Sequence, residues 1–243
     1  MISNLYCGDC LEEMNKIEDG SIDAIITDLP YGTIICKWDS VIPFKPMWEQ
    51  LKRIIKKNGT IVLFGSQPFT SALIMSNIKM FKYEWIWDKD RPTGFALANK
   101  MPMKVHENIL IFNDGSGVYH PQMTEGTPYI WDSERSKGEA SGLTSGKNDV
   151  IINEGTRYPR SVQKFNQDRG LHPTQKPVKL FEWLIKTYSN EKDIVLDSCA
   201  GSGTTGVAAS QTNRYYILIE KEEEYYNLTT NRLKNIYSIT DFI

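Results

Sequence analysis

Three histidines and four cysteines are all that this chain of 243 residues offers to soft metals and redox chemistry. A disulfide framework needs denser cysteine. Cys7-Gly-Asp-Cys10 has the spacing of a redox or zinc pair, yet a zinc site needs about four ligands and no second C-x-x-C or H-x-x-H follows. No bound metal is therefore expected. Long apolar runs are missing too: none reaches the roughly 18 residues of a membrane span. MISNLYCGDC lacks the charged start and apolar stretch of a signal peptide. The expected location is the cytoplasm. Excess positive charge is also lacking, the formal net charge being −2. A nucleic-acid partner would have to be met by a local basic patch. The one concentration is Arg157, Arg160, Lys164, Arg169 and Lys176, with Asp168 the only acid among them. It reads either as a solvated loop or as a strip for phosphates.

What is present is an alternation of strand-like and helix-like runs, without internal repeat, which argues for one α/β domain with a mostly parallel sheet. Strands are expected at 4–7, 22–28, 60–64, 83–87, 108–112, 194–197 and 215–220. Helices are expected at 11–17, 46–57, 68–78, 178–188, 204–211 and 222–237. In the second helix Met47, Trp48, Leu51, Ile54 and Ile55 share one side, and Asn58-Gly59 ends it. Lys52, Arg53, Lys56 and Lys57 then read as a solvated face near its C-terminus. Residues 113 to about 171 show no period, and so long a loop is usually functional or mobile.

Residues 194–206, IVLDSCAGSGTTG, carry strand, glycine turn and helix in succession. Gly201, Gly203 and Gly206 satisfy G-x-G-x-x-G, which lets backbone approach a ligand at a helix start. Glu220 ends the next strand, where an acid can take two ribose hydroxyls. Either a dinucleotide such as NAD or S-adenosylmethionine suits this pattern. In a dinucleotide fold the unit usually opens the domain, whereas here it is near the C-terminus.

TDLPYGT, residues 27–33, leaves an apolar strand through an acid, a proline and a ring. Ligands bind at such strand ends. Asp28 offers a carboxylate. Pro30 stiffens the turn and pushes Leu29 toward an extended conformation, whose carbonyl becomes a second acceptor. Tyr31 adds a flat face. Two acceptors and a ring suit a planar base with an exocyclic amine. Hydrogen bonds from that amine would localise its lone pair for attack on a sulfonium methyl, with positioning and charge complementarity supplying the catalysis. A base inside a duplex must first be flipped out.

Asp28-Leu29-Pro30-Tyr31 resembles the D-P-P-Y motif of amino-methylating DNA methyltransferases, and 197–203 (DSCAGSG) resembles their D-x-F-x-G-x-G motif. His172-Pro173-Thr174-Gln175-Lys176-Pro177 is similar to their H-P-T-Q-K-P segment, and MKVHENILIF (103–112) to their H-E-x-I-x-x-F strand. The catalytic motif precedes the glycine motif, as in the permuted beta class. Release-factor glutamine methyltransferases carry an N-P-P-Y variant in the opposite order. The resemblance implies a Rossmann-like fold with a mostly parallel seven-stranded sheet covered on both faces. It implies a catalytic half (1–88), a target-recognition region (about 89–171) and a cofactor half (172–243). It further implies S-adenosylmethionine as cofactor, double-stranded DNA as partner, and a possible homodimer.

By the same resemblance Asp28, Leu29, Pro30 and Tyr31 are catalytic, with Asp28 also beside the cofactor. Asp9 and Cys10 meet the adenine, Glu220 the ribose, and Asp197 stands near the amino-acid end. Thr174 and Lys176 bind the methionine carboxylate. Cys199, Ala200, Gly201, Gly203 and Thr204 form the turn around it. Asp9 also reads as a helix N-cap, and His172 as a structural histidine. Leu29 replaces the family's first proline but keeps a carbonyl. Cys199 replaces an aromatic, so weaker packing on the cofactor is expected. Ser66 reads equally as pocket lining or a helix cap. Trp85 and Trp87 are expected in or beside the sheet, and Trp38 and Trp131 nearer to DNA. Adenine N6 is the expected target, with cytosine N4 open because the chemistry is the same. The rival classes are an NAD-dependent oxidoreductase, which leaves Asp28–Tyr31 unexplained, and a DNA-binding protein without catalysis.

Overall fold

The computed structural model describes residues 3–32, 39–132, 150–168, 170 and 175–240. In chain order the elements are β1 (Asn4–Cys7), α1 (Cys10–Glu13), β2 (Ile22–Thr27), α2 (Phe44–Ile54), β3 (Ile55–Gly65), α3 (Phe69–Ser76), β4 (Phe81–Thr93) and β5 (Lys104–Phe112). Then come β6 (Thr124–Glu125), β7 (Tyr129–Asp132), β8 (Val150–Asn153), β9 (Thr156–Arg157) and β10 (Val162–Phe165). The chain continues with α4 (Val178–Tyr188), β11 (Ile194–Asp197), α5 (Thr204–Gln211), β12 (Tyr215–Glu220) and α6 (Glu223–Thr240).

One eight-stranded sheet has the order β1-β12-β11-β2-β3-β5-β4-β10. Every pairing is parallel except the two made by β5. The expected seven strands gain β10, which lies parallel to β4 with Val162 opposite Ile86. Its alternating half-buried residues gave no apolar signal in the sequence.

Both faces are covered, and the strands show it residue by residue. Val62, Phe64, Ile109, Ile111, Val195 and Leu218 point to the side packed by α4, α5 and α6. Ile61, Leu63, Leu110, Phe112, Leu196 and Ile219 point to the side packed by α1, α2 and α3. This period-2 division of an apolar run is what a sheet buried on both faces requires. Each such side chain contributes roughly 1.5–3 kcal/mol by leaving water. Trp85 and Trp87 are buried in the first of these cores, as expected.

The expected helix 46–57 ends at Ile54, and β3 begins at the next residue. Ile55 pairs with Ile22, and Lys56 forms an ion pair with Asp23 across the same ladder. Tertiary pairing thus overrides a helical period that Ile54-Ile55 satisfies equally well. Arg53 leaves the supposed solvated face and donates to the carbonyls of Met14 and Ile17 at 2.8 and 2.9 Å.

Residues 121–160 form a compact unit of their own, the remainder of the chain another. The small unit holds the antiparallel pairs β6/β9 and β7/β8. Trp131 therefore lies in a strand rather than a loop, and it is exposed with its neighbour Ile130. Arg157 donates to Asn153 Oδ1 at 2.6 Å and lies over the Tyr129 ring. Trp38 and Arg169 lie outside the described residues, as do His172 and Thr174.

Candidate active site

From β11 the sheet grows one way through β12 to β1. From β2 it grows the other way through β3. The carboxyl ends of β11 and β2 therefore flank the point where strand order reverses, the usual seat of a ligand in an open α/β sheet. A cavity of about 590 Å³ opens there. Asp28 to Tyr31 line it from β2, Asp197 to Ser202 with Thr204 and Thr205 from β11, and Glu220 from β12. Asp9 and Cys10 join from the end of β1, and Lys176 from before α4. Every expected site residue within the described range, Gly203 apart, lines this one cavity.

A side chain that the sequence did not single out holds the turn after β2. Asp39 Oδ1 accepts from the backbone N–H groups of Tyr31 and Gly32 at 2.8 and 3.0 Å. Gly32 has φ +69°, which glycine adopts without strain. The Leu29 side chain is buried in the core under α2, so this position packs where the family has proline. The Tyr31 ring lies 5.1 Å from Phe69, and its hydroxyl donates to Asp28 Oδ1 at 2.6 Å. Lys176 donates to the other oxygen, Asp28 Oδ2.

Beyond Lys176 the charges alternate. Glu107 Oε2 stands 3.3 Å from Lys176 Nζ, and Glu107 Oε1 accepts from Lys89 at 3.0 Å. Burial pushes the Asp28 carboxyl up and the Glu107 charge adds to this, while Lys176 and the Tyr31 hydroxyl hold it down; the net direction is upward. Burial works against the Lys176 ammonium, but Asp28 and Glu107 outweigh it and the value rises. Burial works against the Glu107 charge as well, yet Lys176 and Lys89 bring its value down. Burial, with the nearby carboxylates, raises the Tyr31 phenol well above its ordinary value. Lys176 is buried in this network, so it drops out of the basic strip 157–176. Its ammonium meets two acids of the protein itself, and its carbonyl accepts from Thr204 Oγ1 at 3.3 Å.

On the other flank Asp197 organises the glycine turn. It accepts from Thr27 Oγ1 at 2.7 Å, from the Cys199 amide at 3.0 Å and from the Thr205 hydroxyl. Burial raises its carboxyl to about 6 despite these donors. Glu220 accepts from the Gly201 amide at 2.7 Å and from the Glu222 amide at 2.8 Å. Gly201 and Gly203 have φ +53° and +75°. A side chain on Gly201 would meet nothing within 4 Å, whereas one on Gly203 would strike Thr229. Gly206, third in the pattern, lets α5 close on Leu218 and Leu233. Arg232 donates to the Ser202 carbonyl at 2.8 Å.

Asp9 is the N-cap of α1, accepting from Leu11 N at 3.0 Å, and it lines the cavity as well. The Cys10 and Cys199 thiols interact; this lowers Cys10 and, with burial, raises Cys199 well above its ordinary value. Ser66 lines the cavity and receives Lys104, while α3 has no side-chain cap.

The sequence reading missed Asp39, Glu107, Lys89, Thr27 and Thr205. Glu107 sits in the quoted H-E strand, and Thr27 and Thr205 in the two quoted motifs, which were the available signals; Lys89 becomes legible only when β4 meets β5.

The family model described as DNA methylase (N6_N4_Mtase) matches residues 22–231. Over its whole length the chain is 30% identical to the type II methyltransferase M.HpaI of Haemophilus parainfluenzae, spanning 78% of that protein. It is 27% identical to M.HinfI of Haemophilus influenzae over 97% of this chain and 69% of that one. Among solved structures, the M1.HpyAVI–SAM complex superposes with TM-score 0.64 at 25% identity, covering 96% of this chain and 100% of that one. The fold is shared with the cytosine-N4-specific PvuII DNA methyltransferase, with TM-score 0.68 at 17% identity over 98% of this chain and 93% of that one. The donor set fits S-adenosylmethionine: an open glycine turn, an acid at the next strand end, and a cavity within the usual 300–1,000 Å³ of small-molecule sites. The chain belongs to the amino-methylating DNA methyltransferases, S-adenosylmethionine-dependent enzymes that methylate an exocyclic amine of a DNA base.

Proposed function

We propose that the target is adenine N6 and that Asp28, Leu29, Pro30 and Tyr31 do the chemistry. The observation that carries the reading is the Asp28 carboxylate at the switch point, flanked by the Tyr31 ring and backed by the cofactor turn. Asp28 and the Leu29 carbonyl accept the two amine N–H bonds. Tyr31 stacks on the base, and Pro30 keeps the turn extended. The cofactor supplies an electrophilic sulfonium methyl. Hydrogen bonding to Asp28 localises the amine lone pair, and the Asp28 carboxylate receives the proton that the alkylated nitrogen sheds.

On the cofactor side, Asp9 and Cys10 border the adenine and Glu220 the ribose. Asp197, Cys199, Ala200, Gly201, Gly203 and Thr204 shape the turn, with Thr174 and Lys176 toward the methionine end. The region of about 89–171, which includes the compact unit 121–160, reads the DNA sequence. We extend the reading to a homodimer, which sedimentation velocity tests, and to a cytoplasmic location, where bacterial DNA lies.

The Asp-x-Pro-Tyr form favours adenine, and cytosine N4 is the competing reading. Nucleoside mass spectrometry of DNA from cells expressing the chain decides between them. N6-methyladenine is expected, and N4-methylcytosine would correct the base while keeping the mechanism. Asp28→Ala should bind S-adenosylmethionine and transfer no methyl; full activity in that variant would overturn the catalytic assignment.

A further inference from the structure

We propose that Lys176 is a two-position gate for the target amine: its ammonium holds Asp28 Oδ2 before the base arrives and moves to Glu107 Oε2 when the amine takes its place. The proposal rests on the reading of Asp28 as the amine's acceptor.

Neither oxygen of Asp28 is idle. Oδ1 accepts from Tyr31 at 2.6 Å, and Oδ2 accepts from the Lys176 ammonium. A charge-assisted bond is about twice as strong as a neutral one. A neutral amine does not readily compete with an ammonium for the same oxygen, so Lys176 must yield.

The geometry provides a place for it to go. Glu107 Oε2 is buried and already lies 3.3 Å from Lys176 Nζ, an ion pair that lacks the alignment of a hydrogen bond. Lys89 grips the other oxygen of Glu107 at 3.0 Å and so keeps the carboxylate aimed. The move would turn this ion pair into a well-aligned, charge-assisted hydrogen bond.

Only the side chain has to travel. The Lys176 backbone is fixed by the hydrogen bond of its carbonyl to Thr204 on α5 and by α4, which starts two residues later. The ammonium lies 5.4 Å from the Phe64 ring centre and 5.9 Å from that of Tyr31, so aromatic faces accompany it.

Glu107→Gln removes the charge while keeping the side chain's volume, and with Lys89 on the remaining carbonyl oxygen it turns an amide NH2 toward Lys176. The expected result is a fall in kcat of at least tenfold with cofactor affinity by calorimetry within twofold. Base entry, read by the fluorescence of 2-aminopurine placed beside the target adenine of a duplex, should fall with it. The groups that face Asp28 are Lys176, Glu107 and Tyr31, with Asp197 on β11. Losing the Glu107 charge and keeping all of Lys176 lowers the Asp28 value, so the acid limb of kcat should shift to lower pH. Loss of mere structural support would lower kcat at every pH alike. In a Lys176→Met background, adding Glu107→Gln should cost nothing more. Two results overturn the gate: Glu107→Gln within twofold of the parent, or a double variant whose loss is the product of the singles. If Glu107→Gln fails to fold, Glu107→Asp keeps the charge but withdraws the oxygen. It should lower kcat without moving the limb, and full activity there overturns the gate as well. An active Asp28→Ala would sink the underlying reading; an inactive Asp28→Ala with an unaffected Glu107→Gln sinks the gate alone.

Discussion

Substituting Gly203 by alanine combines two separable penalties. The residue holds φ +75° at the start of α5, and a left-handed backbone costs an L-residue roughly 1–2 kcal/mol. The new methyl would also stand 2.5 Å from Thr229 Cγ2 and 3.0 Å from its Oγ1. Thr229 is wholly buried, and its hydroxyl donates to the Gly201 carbonyl at 2.9 Å, so it cannot swing aside cheaply. Overpacking of this kind costs about 1–3 kcal/mol. The sum is about 2–5 kcal/mol, or on the order of 10 °C in melting temperature for a chain of this size. Thr229→Ala alone should cost about 1 kcal/mol for the lost hydrogen bond. In its background Gly203→Ala should lose only the backbone penalty, leaving a coupling of roughly 1–3 kcal/mol. Urea unfolding of the four proteins measures this, and calorimetry with S-adenosylmethionine reports whether the turn still binds. Strictly additive losses would refute the steric argument. A Gly203→Ala variant as stable as the parent would refute the backbone argument too.

Asp197, with an ordinary value of 3.8, is raised to about 6 by burial, so protonation favours the fold. Its effect is most favourable below the unfolded value and is lost as pH climbs through the folded one, by roughly 3 kcal/mol between pH 4 and 6. The stability difference between the parent and Asp197→Asn, followed by urea midpoints, should drift in the variant's favour over that window; a flat difference contradicts this. Glu220→Ala strips the acceptor from two backbone amides, at about 1–3 kcal/mol each, and should lower both melting temperature and cofactor affinity. Loss of affinity without loss of stability would show that the bracing role is wrong. Alkylation with iodoacetamide should modify Cys10 ahead of Cys199, because the interaction between them lowers the first thiol and raises the second. Cofactor should protect both, and prior labelling of Cys199 would count against this polarity.

From residue 178 onward the sequence was almost transparent. α4, β11, α5 and β12 begin and end where the apolar period and the glycines put them. In that stretch local signals and tertiary fate agree. At the junction of α2 and β3 they do not: Ile54 and Ile55 continue a helical stripe, and only pairing with Ile22 turns the second into a strand. β10 was hidden because an edge strand with one wet face has no apolar run. The turn after β2 could be read from Asp28-Leu29-Pro30-Tyr31 and the turn after β11 from the glycines, and both line the one cavity. The groups that control them could not. Lys89 gave no signal, Glu107 only its place in the H-E strand, and Lys176 was read toward the cofactor; no local rule links these residues, far apart in the chain, into a row of alternating charges that ends on Asp28. Asp39 is close in the chain to the Tyr31 and Gly32 amides that it holds, but no helical or strand period links it to them.

The sheet order also sets a timetable for synthesis. β1 and β2 leave the ribosome early, yet their partners β12 and β11 are among the last strands made. Until then β2 has β3 on one side only, and β1 has no strand beside it. Contacts of such sequence separation are formed slowly, and unpaired apolar edges invite association meanwhile. The strands that lead to Asp28 thus wait for those that carry the glycine turn. The nascent chain cannot close the cavity at the switch point before residues 194–220 have emerged.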